Sequence, residues 1–296
     1  MAGALSPDLS PARVGLRVAA LFRYPLKSAA GIACGSVSLD PFGVRDDRRW
    51  MIVDPEAGRP LTQREIPDLA RLEARDPAGG LELSWRGPPP AGNASRVASS
   101  IGVERPPRTD PRLPVTIWGD TVYLPVAADR ANEWISASLG REARLAYMPD
   151  DVERPVNPRY ADEGDRTSLT DGYPLHLVGT GSLEELNSRL EEPIGVERFR
   201  PNLLIDGPAP FDEDDWGEVR VGECELRVVK PCARCTVTTV DPATGERGVE
   251  PLRTLSTYRK REGGVMFGQN ALHRGEGTIR VGDPVEVLSR RVVSPG

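Results

Sequence analysis

The sequence predicts a mainly β protein of the α+β class, closer to barrels or sandwiches than to a parallel doubly wound sheet. Short apolar segments of the strand type return about every 8 to 12 residues along much of the chain. Only three stretches carry apolar residues at helical spacing. The 30 Gly and 29 Pro are dispersed without a repeat, which is typical of a globular chain with many turns.

The strands are predicted from short apolar or alternating runs bounded by turn residues. Gly119 and Asp120 separate two of these runs and indicate a tight hairpin. The Pro-rich stretch 86–113 has no clear period, and we expect it to be irregular. The predicted strands are Arg17–Tyr24, Gly35–Leu39, Arg49–Asp54, Val115–Trp118, Thr121–Pro125, Glu218–Val221, Glu225–Val229, Thr236–Val240, Thr278–Val281 and Val285–Leu288.

Three helices are predicted. The first covers 128–139 and ends before Gly140, a residue type that commonly closes a helix. The second covers 182–190, where Ser182 followed by Glu185 forms a capping box. The third covers 252–260.

Charge and composition exclude several classes of protein. The net charge is −6, and the chain has no run of Lys or Arg, which argues against a nucleic-acid partner. No apolar run approaches 18 residues, so no membrane span is predicted. The first 11 residues lack the features of a secretory signal, and four Cys do not make a disulfide scaffold. We therefore expect a cytoplasmic protein.

The motif Cys232-Ala233-Arg234-Cys235 is the most reactive stretch of the sequence. Structural zinc would need a second pair of ligands, which the sequence does not offer. A thioredoxin-like dithiol would open a helix, whereas the β-branched residues 236–240 predict that the motif opens a strand. One interpretation is that both Cys are half-buried and have no chemical role. A single thiolate that binds a soft metal or carries sulfur, favoured by Arg234 and Lys230, is the other.

Other conspicuous residues have ordinary explanations. The run 178–182 carries two glycines but lacks the third of a dinucleotide loop, so a capped strand-to-helix turn suffices. His176 is expected in or near the core, and two His leave little for a hydrolase triad. The acidic run 212–215 reads as a solvated loop. Lys27 and Arg200 each adjoin a strand, and an anionic ligand would need several such cations to converge.

Taken together, several motifs resemble the MOSC domain and the β-barrel module that precedes it. The N-terminal module is recognised by Tyr24-Pro25-Leu26-Lys27-Ser28, Arg48-Arg49-Trp50-Met51 and Leu61-Thr62-Gln63-Arg64-Glu65. The MOSC domain is recognised by Phe199-Arg200-Pro201-Asn202, Cys232 to Thr236, Val240 to Gly245, Phe267-Gly268-Gln269 and Ile279 to Val285. The pattern is most similar to the mitochondrial amidoxime-reducing component and its bacterial counterparts. This resemblance implies a β-barrel-like module at 13–126, a helical or irregular connection at 127–164 and a MOSC β-barrel with a few helices at 165–289.

The resemblance also implies a molybdenum cofactor, Mo-molybdopterin, and the reduction of N-hydroxylated compounds from N–OH to N–H. Cys235 matches the thiolate ligand of molybdenum and is the expected catalytic residue, while Cys232 is expected to be structural. The residues that match cofactor contacts are Lys27, Ser28, Arg48, Thr170, Asp171, Arg200 and Asn202.

Two further expectations follow from the resemblance. No Cys follows Cys235 in these 296 residues, so we expect no iron–sulfur cluster in the chain and a separate electron-donor protein, ferredoxin-like or a cytochrome or flavoprotein reductase. A small molecule is the expected substrate. The alternative function is a MOSC sulfur carrier, which would hold a persulfide on Cys235 and deliver sulfur to a metal centre.

Overall fold

The computed structural model describes residues 15–77, 79–91 and 98–291, and strands dominate it, which confirms the mainly β prediction. The helices are α1 (Asp129–Leu139), α2 (Thr180–Asn187) and α3 (Leu252–Tyr258). Short 3-10 helices lie at Pro67–Arg71, Val196–Phe199, Asp212–Asp215 and Thr236–Thr239. The strands are β1 (Arg17–Arg23), β2 (Ile32–Cys34), β3 (Ser36–Asp40), β4 (Gly43–Val44), β5 (Trp50–Asp54), β6 (Arg59–Pro60), β7 (Leu72–Arg75), β8 (Gly80–Trp85), β9 (Ser100–Glu104), β10 (Arg112–Ile117), β11 (Asp120–Pro125), β12 (Arg144–Tyr147), β13 (Leu175–Gly179), β14 (Leu203–Asp206), β15 (Trp216–Val221), β16 (Cys224–Arg234), β17 (Lys260–Arg261), β18 (Gly264–Arg274), β19 (Gly277–Arg280) and β20 (Val285–Arg290).

The largest sheet joins strands from both ends of the chain. Its order is β2-β1-β14-β13-β18-β16-β15-β20, with β17 paired to β18. Within the described residues β13 and β14 are its one parallel pair, so the expectation against a parallel doubly wound sheet is confirmed. Leu21 of β1 lies opposite Leu203 of β14, and Leu177 of β13 lies on the other side of Leu203. This register brings the residues after β1 close to those before β14.

Four smaller sheets complete the fold, in the orders β12-β5-β6, β10-β11, β7-β8-β9 and β19-β3-β4. One hydrophobic core lies among β5, β7, β8, β9, β12 and α1, where Trp50, Leu72 and Ile135 are almost fully buried. A second core lies among the strands of the largest sheet and includes Trp216. Because β1 pairs with β14 and β3 pairs with β19, the N-terminal and C-terminal parts share sheets. The predicted domain limits at 127 and 165 stay predictions.

Helices α1 and α3 match their predictions closely, whereas α2 begins two residues earlier than predicted. Helix α1 ends before Gly140, which has the left-handed φ of 66° predicted for a closing glycine. Helix α2 begins at Thr180, so Ser182 is inside the helix and the predicted capping box is wrong. The Ser182 hydroxyl instead donates to Glu213 Oε2 at 2.8 Å, and both residues are fully buried. The Ser182 hydroxyl therefore bonds to a carboxylate that is distant in the sequence and does not cap the helix.

The residues after the CxxC motif form a 3-10 helix, where the sequence predicted a strand. Their threonine hydroxyls donate to backbone carbonyls three residues earlier, Thr238 to Cys235 at 3.0 Å and Thr239 to Thr236 at 2.8 Å. Such local bonds support a tight turn even in a β-branched segment. The motif thus ends β16 and does not open a strand.

The stretch 86–113 is less irregular than predicted, because it contains β9 and the start of β10. In β9 the alternate residues Ile101 and Val103 are buried, as is typical of a strand. This alternation covers only a few residues among many prolines, so it does not stand out in the sequence. Residues 92–97 of this stretch lie outside the described residues.

The prediction that the acidic run 212–215 forms a solvated loop is wrong. Glu213 is fully buried, and the Asp214 side chain is only 8% exposed. Asp214 pairs with Arg259 at 2.7 Å and with Arg261 at 2.8 Å, so it holds together segments 45 or more residues apart. Adjacent acids look solvated in a sequence, because their distant basic partners cannot be seen there.

Over the part of the chain that the structure describes, no helix is long and apolar enough to cross a membrane. The cytoplasmic location stays a prediction.

Candidate functional site

A cavity of about 610 Å³ lies where the two parts of the chain meet. Its lining contains every residue that the sequence analysis singled out for the site. These are Lys27, Ser28, Arg48, Thr170, Asp171, Arg200, Asn202 and Cys235. Residues spread over more than 200 positions of the sequence thus converge on one space.

The ends of strands and the loops beside them supply these residues. Lys27 and Ser28 follow β1, and the backbone N–H of Lys27 donates to the Trp50 carbonyl at 2.8 Å. Arg48 lies two residues before β5, and its carbonyl accepts from Leu169 N–H at 3.0 Å. Cys235 follows the last residue of β16. Loops anchored in this way on strands keep their side chains in fixed positions.

Lys27 and Asp171 form an ion pair in the cavity wall. The Lys27 ammonium donates to Asp171 Oδ1 at 2.6 Å and to the Leu169 carbonyl at 2.8 Å. Burial lowers the pKa of Lys27, and Asp171 opposes this by favouring the charged form. Desolvation raises the pKa of Asp171, but Lys27 and Arg64 outweigh it and hold that pKa well below its usual range. Asp171 therefore stays ionised and orients its two cations.

Arg48 and Arg200 flank the buried Tyr24. Each guanidinium carbon lies 4.3 Å from the centroid of the Tyr24 ring, within the range of a cation–π contact. Arg48 also pairs with buried Asp47 and donates to the Arg200 carbonyl at 3.0 Å. Burial, with a smaller contribution from Arg48, lowers the pKa of Arg200 to about 10. Both guanidinium groups are thereby fixed beside the cavity.

Asn202 and Thr170 are largely engaged with the protein itself. Asn202 Oδ1 accepts from His176 N–H and from Arg48 Nη1, both at 3.2 Å, and its Nδ2 donates to the Phe22 carbonyl. The Thr170 hydroxyl shares a hydrogen bond with Thr167 at 2.7 Å. Both side chains therefore position the cavity wall, in addition to any contact with a ligand.

The two cysteines of the motif have different partners. Cys235 is half-buried, and its Sγ accepts a hydrogen bond from Arg64 Nη2 at 3.2 Å. Cys232 Sγ accepts from Arg234 Nη1 at 2.9 Å. All four cysteines of the chain are free thiols. The cavity thus offers single sulfur ligands beside cations and no dithiol bridge.

The cavity lining is strongly positive although the whole chain carries a net charge of −6. The cations are Lys27, Arg48, Arg64, Arg200, Lys230 and Arg234, and the one carboxylate in the lining is Asp171. Within the described residues, the ion pairs do not include Arg200, Lys230 or Arg234. Positive charge without an acidic partner, focused in a cleft, favours an anionic ligand.

Backbone strain is concentrated at the same place. Among the described residues six that are not glycine have positive φ, and four of these line the cavity. They are Ser28 (67°), Arg48 (48°), Trp118 (51°) and Arg200 (54°). Such conformations cost on the order of 1–3 kcal/mol each and occur mostly at functional sites. The strain therefore supports a functional role for this cavity.

The sequence analysis assigned no role to Arg64 or Trp118, and it placed His176 only in the core. Arg64 belongs to a motif that carried the family resemblance, but nothing local shows that it contacts Cys235, 171 positions away. Trp118 was predicted as the last residue of a strand, but it lies just after β10 and is 68% exposed, an unusual state for a large aromatic side chain. His176 is buried as predicted and also lines the cavity.

His176 is expected to make folding stability pH-dependent. Its Nε2 accepts from Arg234 at 3.3 Å, which requires a neutral ring, and burial, followed by Arg234 and Arg48, lowers its pKa well below 6.5. The unfolded chain gains a proton below about pH 6.5 and the folded chain does not, so stability present above this pH is lost below it. His176→Gln should reduce that loss by up to about 1.4 kcal/mol per pH unit in urea titrations between about pH 7 and 5. An unchanged slope in His176→Gln, equal to that of a His273→Gln control, would contradict this.

Comparison with known proteins gives two matching families and several full-length relatives. The family described as MOSC N-terminal beta barrel domain matches residues 15–142, and the MOSC domain family matches residues 164–286. Mitochondrial amidoxime-reducing component 1 of Mus musculus is 33% identical over 92% of this chain and 82% of its own length. The Xenopus laevis protein of the same name is 30% identical over 94% of this chain and 84% of its own length. Molybdenum cofactor sulfurase of Oryza sativa subsp. japonica is 28% identical over 83% of this chain but only 31% of its own length.

Proposed function

Because this chain belongs to the amidoxime-reducing component family of MOSC proteins, we propose that it is a molybdenum-cofactor-dependent reductase of N-hydroxylated compounds. The reaction converts an N–OH group to N–H and releases water, with two electrons and two protons consumed. The relatives that match along most of their length carry this activity in their names.

One observation supports this proposal above the others: a half-buried thiol opens into a cavity whose lining holds six cations and one carboxylate. A molybdenum pterin needs a soft thiolate for its metal and cationic groups for its phosphate. Among the described residues Arg200 Nη2 is buried without a hydrogen-bond partner, so the cavity wall has spare donor capacity. The residues present therefore fit the cofactor.

In this proposal Cys235 supplies the thiolate to molybdenum. Lys27, Ser28 and Arg48 hold the cofactor from the N-terminal part, while Arg200 holds it from the MOSC part. Asn202 contributes chiefly by fixing Arg48, to which it is hydrogen-bonded. The segment Thr170–Asp171 completes the wall.

The bound cofactor supplies the two-electron chemistry that removes the oxygen of the substrate. The protein's own groups bind and orient. Asp171 keeps Lys27 and Arg64 in place and, being ionised, does not serve as a proton donor. Arg64 donates to Cys235 Sγ and so holds the sulfur in position. Electrons come from a separate donor protein, and the substrate is a small molecule.

The sulfur-carrier alternative has weaker support. The chain matches only about a third of the rice sulfurase, whereas it matches most of each amidoxime-reducing relative. In the carrier, Cys235 would hold a persulfide and the cations would have no cofactor phosphate to bind.

The proposed function is tested by assaying the protein purified from a host that makes molybdenum cofactor. Reduced viologen replaces the unidentified donor, and benzamidoxime serves as substrate. We expect stoichiometric conversion to benzamidine. The control is the same chain from a host that cannot make the cofactor, which should be inactive. A molybdenum-loaded protein that reduces neither benzamidoxime nor an N-hydroxylated amine would refute the proposal.

A further inference from the structure

Trp118 projects from a rigid hairpin at the edge of the cavity. It lies between β10 and β11, is 68% exposed and lines the cavity. The hairpin is anchored from below, since Val115, Ile117 and Val122 are buried in a core cluster. The indole contacts two charged residues of the site, Arg64 and Asp171, and still exposes much apolar surface to water.

Trp118 is the first of the two central residues of a hairpin turn, a position that requires positive φ and is usually taken by Asn, Asp or Gly. Its φ of 51° is uncommon for a bulky residue. Gly119 follows with a φ of 98° and would accept such a conformation at no cost. A bulky aromatic residue beside a glycine in a tight turn indicates that the side chain serves a purpose at this point.

Arg64 connects the indole to the thiol. Its guanidinium carbon lies 4.9 Å from the centroid of the Trp118 ring, and its Nη2 contacts both Cys235 Sγ and Asp171 Oδ2. One arginine therefore separates the exposed ring from the expected metal ligand. Arg64 lies over the ring, and the 68% exposure of Trp118 leaves ring surface open to a second planar group.

We propose that Trp118 is a substrate-binding platform that selects planar aromatic N-hydroxylated compounds over aliphatic ones, by stacking on their rings beside Cys235. This inference rests on the proposed function. Arg64 positions the platform, and Trp118 touches the substrate. Stacking of this kind accounts for roughly a 3- to 10-fold gain in binding.

The test compares benzamidoxime with acetamidoxime in the molybdenum-loaded protein and in Trp118→Ala, Trp118→Phe and Tyr123→Ala. Tyr123 lies on the same hairpin and is 59% exposed but does not line the cavity, so it is the matched control. Trp118→Ala should lower kcat/KM for benzamidoxime roughly 3- to 10-fold, mainly through KM, and leave acetamidoxime within about 2-fold. Trp118→Phe should restore most of the loss.

Fluorescence gives a second readout that does not need turnover. Of the five tryptophans, Trp50, Trp134 and Trp216 are buried and Trp85 is half-buried, so Trp118 is the most exposed fluorophore. Benzamidoxime should quench it saturably in the wild type and in Tyr123→Ala but not in Trp118→Ala. If Trp118→Ala lowers kcat/KM equally for both substrates, or if benzamidoxime quenches Trp118→Ala as strongly as the wild type, the inference is overturned. The proposed function is then left intact. A protein that reduces neither substrate refutes the proposed function, and quenching then still decides whether the platform binds the aromatic ring.

Discussion

Cys235→Ala is expected to lose molybdenum and amidoxime reduction together, each by at least about 100-fold. In the proposed site Cys235 is the protein ligand of the metal, whereas Cys232, whose Sγ accepts from Arg234, is expected to be structural. Molybdenum content and turnover with reduced viologen are measured on the same preparation.

Cys232→Ala is the matched control, since it removes the neighbouring thiol of the same motif. It should keep molybdenum and most activity. A Cys235→Ala protein that retains both would refute the ligand assignment. Equal losses in both variants would show that the motif acts by folding and not by ligation.

Asp214→Ala is expected to lower the free energy of unfolding by about 3–5 kcal/mol. Asp214 and Arg259 form an ion pair whose two side chains are 8% and 7% exposed, and Asp214 Oδ1 also accepts from Gln269 at 2.7 Å. Removing the carboxylate leaves the Arg259 charge buried without its partner. Urea denaturation measures the change.

Asp215→Ala is the control for this prediction, because Asp215 is the next residue and is exposed. It should change stability by less than about 0.5 kcal/mol. A loss below about 1 kcal/mol in Asp214→Ala would mean that water already reaches the pair and screens it.

The sequence predicted the fold class and nine of the twenty strands that the structure describes, because those depend on local alternation of apolar residues and on turns. Two errors fall where a distant partner decides. Ser182 looks like a helix cap, yet Glu213, 31 positions away, takes its hydroxyl. Asp214 looks solvated, yet Arg259, 45 positions away, buries it.

The prediction of the site was likewise limited to what local patterns and the family resemblance show. Spacing and composition alone left the CxxC motif open between inert thiols and a single ligand. The family resemblance selected Cys235 and seven further residues, and the structure brings all eight into one cavity. Arg64 and Trp118 acquire their roles only from contacts across the fold, which no local pattern shows.

The most direct test of the central claim is metal and pterin analysis of the wild-type chain, purified from a host that makes molybdenum cofactor. We predict about one molybdenum per chain with an equal amount of pterin, since Cys235 is the one proposed protein ligand of the metal. Absence of molybdenum, together with a cyanide-labile sulfur on Cys235, would contradict it and establish the sulfur carrier.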